Sequence, residues 1–141
     1  GDPYVIEYNV RMGDPETEVV LPRIESDLVE LFDGVATQQL SVLDLKISPY
    51  FATTVVCTSC GYPGDYPKGL EIDGLEKRCE STIFHAGTKI IGDRYFTNGG
   101  RVLAVTSMAP TMKGAVIKSY NTIKKITFDG MYYRRDISLD L

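Results

Sequence analysis

Three polar side chains, Glu7, Asn9 and Arg11, stand at alternate positions among the apolar residues Tyr4, Ile6, Tyr8, Val10 and Met12. Period two predicts a strand over residues 4–12 with one buried apolar face. The three polar side chains then leave from the other face, about 7 Å apart between neighbours. A carboxylate and an amide oxygen at that spacing can both coordinate one Mg²⁺, a hard ion that prefers oxygen and keeps water and nucleotide phosphates as its other ligands. The neighbouring Arg11 guanidinium can hold a carboxylate or phosphate through two parallel N–H groups. A solvated strand face with an ordinary ion pair shows the same alternation, so the spacing alone leaves both open.

Other residues invite chemistry less strongly. Gly61-Tyr62-Pro63-Gly64 is glycine-rich enough to suggest a phosphate-cradling loop, but its spacing fits neither a P-loop nor a dinucleotide fingerprint, and a tight turn after a buried strand explains it. Asn98-Gly99-Gly100 is most simply a hairpin turn. His85 is the only histidine; placed between Phe84 and Ala86 in a strand, it reads as a hydrogen-bonded, partly buried structural residue more readily than as a general base. Cys57-x-x-Cys60 has no second pair to complete a zinc site and lies at the end of a strand, not the start of a helix, so two packed thiols are expected. The lysines around 113–125 read as a solvated helix face, and no Ser-His-Asp arrangement is present.

The elements that must position these residues follow from punctuation and periodicity. Gly13-Asp14-Pro15 ends the first strand as a turn. Ser26 is expected to cap a helix whose apolar stripe is Leu28, Leu31, Phe32 and Val35 and which fades near Leu40. Residues 41–50, with Pro49, read as a linker. Short strands are predicted at 51–58, 82–86, 94–97 and 101–107, with turns at Gly61–Gly64, Asp73-Gly74 and Asn98–Gly100. A helix over about 111–125 takes Thr111 as its N-cap and turns Met112, Val116, Tyr120 and Ile123 inward. A closing strand or hairpin is predicted from Ile126–Phe128 and Met131–Arg135 around Asp129-Gly130.

The 141 residues, 43% hydrophobic and 24% charged, have ordinary globular composition. The net charge of −4 is spread along the chain, and no basic block exists that would track a nucleic acid backbone. No apolar run reaches the roughly 18 residues of a membrane helix. Three cysteines without a secretory signal predict reduced thiols and a cytoplasmic setting. A first residue of Gly1, leading almost at once into a strand pattern, suggests a piece of a longer protein.

The segment Tyr4–Thr17, with its Glu-x-Asn-x-Arg strand and Gly-Asp-Pro-Glu-Thr turn, resembles the last active-site strand of ATP-grasp ligases, and the turn resembles the phosphoribosylamine–glycine ligases in particular. Cys60-Gly-Tyr-Pro-Gly-Asp-Tyr66, Phe84-His-Ala-Gly-Thr-Lys89, Thr97-Asn-Gly-Gly-Arg-Val-Leu103 and Tyr133-Arg-Arg-Asp-Ile137 follow in the order of that family's C-terminal domain. The match covers nearly the whole chain and roughly the last third of a family member.

This resemblance implies an α+β chain. Residues 1–47 would be the edge of an ATP-grasp domain, strand plus helix. Residues 48–141 would be a small β-rich domain with one helix, similar to a barrel-sandwich hybrid. It further implies that Glu7 and Asn9 ligate Mg²⁺ or Mn²⁺, that Arg11 is catalytic and contacts reacting anionic groups, and that Asp14, Pro15 and Glu16 border the acceptor pocket. The implied partners are ATP, glycine and 5-phosphoribosylamine, joined through a glycyl phosphate by positioning and charge neutralisation. The segment would need the upstream ATP-grasp parts and be inactive without them. A related carboxylase or transformylase would share Glu-x-Asn-x-Arg but lack the Gly-Asp-Pro-Glu-Thr and Phe-His-Ala-Gly-Thr segments. A non-catalytic hybrid-motif module would need no Glu7–Asn9–Arg11 face.

Overall fold

The computed structural model describes residues 4–6, 8 and 10–139. Among them the elements run α1 (Thr17–Val20), α2 (Leu28–Ala36), β1 (Phe51–Thr58), β2 (Glu71–Ile72), β3 (Thr82–His85), β4 (Thr88–Ile91), β5 (Arg94–Thr97), β6 (Arg101–Ala109) and α3 (Met112–Ile123). Two antiparallel three-stranded sheets form, ordered β1-β6-β3 and β2-β5-β4. The α+β expectation holds.

β6 is the middle strand of the first sheet, and residues 102–107 are all buried, so both of its faces are covered. That explains its continuous Val-Leu-Ala-Val-Thr-Ser run, which does not alternate. β1 does alternate: Thr53, Val55 and Cys57 are buried beside half-buried neighbours. Its Cys57 pairs with Leu103 and its Val55 with Val105, before the register shifts at Thr58. α3 packs across β1 and β6, and α1 lies against the same two strands. The core gathers Val55, Cys57, Val102, Leu103, Val105, Ile123, Ile126 and Phe128.

Thr111 caps α3 as expected, accepting a hydrogen bond from the Gly114 N–H at 3.1 Å. The inward face differs, however: Ala115, Ser119, Thr122 and Ile123 are buried, while Met112, Val116 and Tyr120 are only half-buried. Small hydroxyl residues go inside because they are satisfied there. Ser119 Oγ donates to Ser107 Oγ (2.9 Å) and to the Thr53 carbonyl (3.2 Å), and Thr122 Oγ1 shares a 2.6 Å bond with Ser81 Oγ.

Four further expectations are corrected. α2 is capped by Asp27, which accepts from the Val29 and Glu30 N–H groups. Ser26 instead bonds the Asp44 carbonyl and the Lys46 N–H, tying down the segment after the helix. Residues 46–48 are therefore no free linker: Ile47 bridges to Ile24, and Ser48 is buried. The final hairpin does not form; Thr127 bridges to Asp73 and Tyr132 to Thr58, so the two halves pair with different parts of the fold. Lastly, the described residues of the 4–12 segment belong to no strand, and their apolar side chains face solvent, Ile6 at 96% and Val10 at 99% exposure. A strand requires a hydrogen-bonded neighbour, and none of the described strands pairs with this segment.

Candidate functional site

Three of the glycine-bearing segments meet at one corner, where the chain passes between the two sheets. β3 pairs with β6 and β4 with β5, so the Ala86-Gly87 turn carries the chain from one sheet to the other. The 98–100 turn carries it back. The Gly87 N–H donates to the Arg101 carbonyl (2.8 Å) and the Asn98 N–H to the Gly87 carbonyl (2.7 Å), locking the two turns together. Ser59 joins from the end of β1: its N–H donates to the Gly100 carbonyl (2.8 Å) and its hydroxyl to the Gly99 carbonyl (3.0 Å). The Tyr62 ring then covers Gly100 so closely that a Cβ there would fall 2.0 Å from the ring. The glycines of Gly61–Gly64 and Asn98–Gly100 thus serve close backbone packing; Asn98–Gly100 is a turn but not the expected hairpin, because β5 and β6 belong to different sheets.

This platform presents Arg101. Its guanidinium lies 6.0 Å from the Tyr62 ring centre, within the range of a cation–π contact. Its Nη1 reaches both Asp14 Oδ2 and the Asp14 carbonyl, each at 3.1 Å. Burial opposes the Arg101 charge, but Asp14 and Tyr62 outweigh it and hold the group above its ordinary value. The turn that receives this contact is itself tightly made. Glu16 Oε1 accepts from the Gly13 N–H (2.7 Å), and the Gly13 carbonyl accepts from both the Thr17 N–H (3.1 Å) and the Thr17 hydroxyl (2.7 Å). The acidic and hydroxyl residues of Gly-Asp-Pro-Glu-Thr are therefore committed to shaping the turn and fastening it to the corner.

The predicted site residues divide accordingly. Asp14, half-buried Pro15 and Glu16 stand together on this turn. Arg11 is exposed two residues before it, its Nη1 donating to the Met12 carbonyl at 3.0 Å. Glu7 and Asn9 lie outside the described residues. His85 is exposed rather than partly buried; it ends β3, bonds Thr88 Oγ1 through Nδ1 (3.0 Å) and stacks on Tyr95 at 4.8 Å. Cys57 is fully buried and its thiol is pushed up to about 12 by desolvation, whereas Cys60 is exposed. The helix lysines are not all free: Lys118 pairs with Glu80 (3.1 Å), and Lys125 Nζ donates to the Arg78 carbonyl (2.9 Å). Arg101 is the residue that reasoning from sequence did not single out. Its only signal was membership in Thr97–Leu103, and nothing in the spacing points from there to a turn 87 positions upstream.

Residues 52–140 match the family model described as "Phosphoribosylglycinamide synthetase, C domain". The chain is 49% identical over 137 residues to the bifunctional purine biosynthetic protein purD of Dictyostelium discoideum, covering 94% of this chain and 17% of that protein. It is 40% identical over 136 residues to the phosphoribosylamine–glycine ligase of Caldanaerobacter subterraneus subsp. tengcongensis, covering 96% and 33%. A crystal structure of phosphoribosylamine–glycine ligase from Thermotoga maritima superposes with a TM-score of 0.77 at 38% identity, over 96% of this chain and 34% of that one. The chain thus spans between about a sixth and a third of the length of these relatives. The chain belongs to the phosphoribosylglycinamide synthetase C-domain family.

Proposed function

We propose that this chain is the C-terminal part of an ATP-dependent ligase that joins glycine to 5-phosphoribosylamine, giving glycinamide ribonucleotide, ADP and phosphate for purine biosynthesis. The observation that carries this reading is the family match over residues 52–140, supported by relatives whose names include that ligase. ATP phosphorylates the glycine carboxylate; the amine of phosphoribosylamine then attacks the acyl carbon and phosphate leaves. Such a route asks the protein for placement and charge neutralisation and needs no protein nucleophile.

Arg11, exposed beside the turn, suits contact with the reacting anionic groups. Asp14, Pro15 and Glu16 border the acceptor pocket. The donor set of Glu7 and Asn9, one carboxylate and one amide oxygen, fits a hard divalent ion, Mg²⁺ or Mn²⁺, which when bound would neutralise the ATP phosphates. Among the described residues, no group of three or more His, Cys, Asp or Glu side chains could hold a metal.

The exposed apolar side chains of Ile6, Tyr8 and Val10, with Val29 and Phe32 on α2, support residues 1–47 as the edge of an ATP-grasp domain completed by upstream segments. Surface of this kind marks a contact face. Among the described residues no helix is long and apolar enough to cross a membrane, and we place the enzyme in the cytoplasm. The test compares ADP formation by the complete protein and by the 141-residue chain. Turnover requiring both glycine and phosphoribosylamine is expected from the complete protein only. ADP formation independent of either substrate would overturn the ligase reading. Turnover by the chain alone would overturn the need for upstream parts.

A further inference from the structure

We infer that Arg101 is a positioning residue for the ligase reaction: it fixes the acceptor-side turn Gly13–Thr17 by clamping Asp14 to the glycine corner. The inference rests on the ligase reading and adds to it a residue and a role for the C-terminal sheets.

Both bonds from Arg101 Nη1 end on one residue, the Asp14 carboxylate and the Asp14 carbonyl, each at 3.1 Å. A contact to side chain and main chain together fixes the direction of the turn as well as its distance. The Arg101 backbone is held in its own right, since its carbonyl accepts from the Gly87 N–H at 2.8 Å. Tyr62 flanks the guanidinium and is seated against Gly100. A cation with its backbone pinned and one face against an aromatic ring keeps less freedom than a free surface arginine. On the other side, Glu16 and Thr17 close the turn on Gly13. The turn is therefore stiff, and Arg101 joins it as one unit to a stiff corner.

Three residues before Asp14 stands Arg11, and the segment carrying Glu7 and Asn9 leads into the same turn. Holding Asp14 fixes the turn from which Arg11 departs. The side chains of Asp14 and Glu16 thus act on the substrate through the shape of the turn, while Arg101 acts through Asp14. An ion pair half in solvent contributes little to stability. An error of an ångström in placing reacting groups, by contrast, can cost about 100-fold in rate.

The test uses the complete ligase with Arg101→Met, Arg101→Lys, Asp14→Asn and the Arg101→Met/Asp14→Asn double variant. Arg101→Met and Asp14→Asn are each expected to lower kcat by about 10- to 100-fold, with KM for ATP and the melting temperature close to wild type. The double variant should be no slower than the slower single, because Asp14→Asn weakens one of the two bonds that Arg101→Met removes altogether. Arg101→Lys should restore most of the rate, since an ammonium still reaches the Asp14 carboxylate and carbonyl. Normal kcat in Arg101→Met, losses that multiply in the double variant, losses that track melting, or failure of lysine to rescue would each overturn the inference. Failure to rescue would point to direct contact between the planar guanidinium and substrate. A wild-type protein with no glycine-dependent turnover would instead sink the ligase reading, so the two failures are distinct.

Discussion

Gly87 and Gly99 stand back to back: a Cβ built on Gly87 would lie 2.7 Å from the Gly99 Cα and 2.4 Å from the Arg101 carbonyl oxygen. Neither position tolerates a side chain, because what it would meet is backbone. Gly87→Ala is expected to destabilise the chain by about 1–3 kcal/mol, the usual range for overpacking a close contact. Chemical denaturation of the 141-residue chain measures this. An unchanged midpoint would mean that the turns can separate freely.

In the complete enzyme, Glu7→Gln should impair catalysis by weakening metal coordination, since shape is kept and charge is lost. Asn9→Ala should act in the same direction. Arg11→Lys should also be harmful, because an ammonium cannot reproduce a planar two-pronged grip. Each loss should appear in kcat, with stability changes within about 1 kcal/mol for residues away from the core. Raising Mg²⁺ should partly rescue Glu7→Gln and leave Arg11→Lys impaired. If all three retain normal kcat, the face is ordinary surface.

Cys57 makes stability fall in alkali. Its folded thiol titrates near 12, against an ordinary value of 9.0. Below pH 9 both states are protonated and the full contribution is present. Between pH 9 and 12 the unfolded chain loses the proton while the folded chain keeps it, so stability falls as pH rises. The slope from this one group is about 1.4 kcal/mol per pH unit. Unfolding free energies of wild type and Cys57→Ala, measured from pH 9 to 11, should therefore converge as pH rises. Parallel curves would contradict the shift.

The same burial decides reactivity. A thiol reagent at pH 8 should modify exposed Cys60 quickly, half-buried Cys79 more slowly, and Cys57 only on unfolding. The purified chain is also expected to carry no stoichiometric zinc and to keep its melting temperature in chelator. A structural zinc ion contributes folding free energy directly, so its removal would be plain. Elemental analysis finding about one zinc per chain would overturn this.

How far the molecule was legible in its sequence depended on the range of each interaction. Local signals read well: the Thr111 cap, the turn at Gly13-Asp14-Pro15, and the strands β1 and β5 all depend on near neighbours. β2 was missed because two residues carry no periodicity, and β4 because Ile90 and Ile91 are adjacent and both exposed. The inner face of α3 was misplaced by one position because Ser119 and Thr122 are polar in type yet buried through distant partners. The candidate site was legible as single residues and as a resemblance. The bond from Arg101 to Asp14 was not, since it joins two segments that only the folded sheets bring together.

The pairing of β1 with β6 also orders events in time. Phe51 finds its partner in Ala109 and Thr58 in Arg101, so the pairing of β1 is not complete until the chain has been made past Ala109. At ribosomal speeds of about 5–20 residues per second the wait is on the order of 3–12 s. The β4–β5 hairpin closes through the two-residue Gly92-Asp93 loop and can form as soon as it emerges. During that interval β1 presents Val55, Val56 and Cys57 along an unpaired edge, the kind of segment that recruits other chains. Synthesis of this region therefore passes through a window in which its most apolar early strand is open to aggregation, and β6 is what closes it.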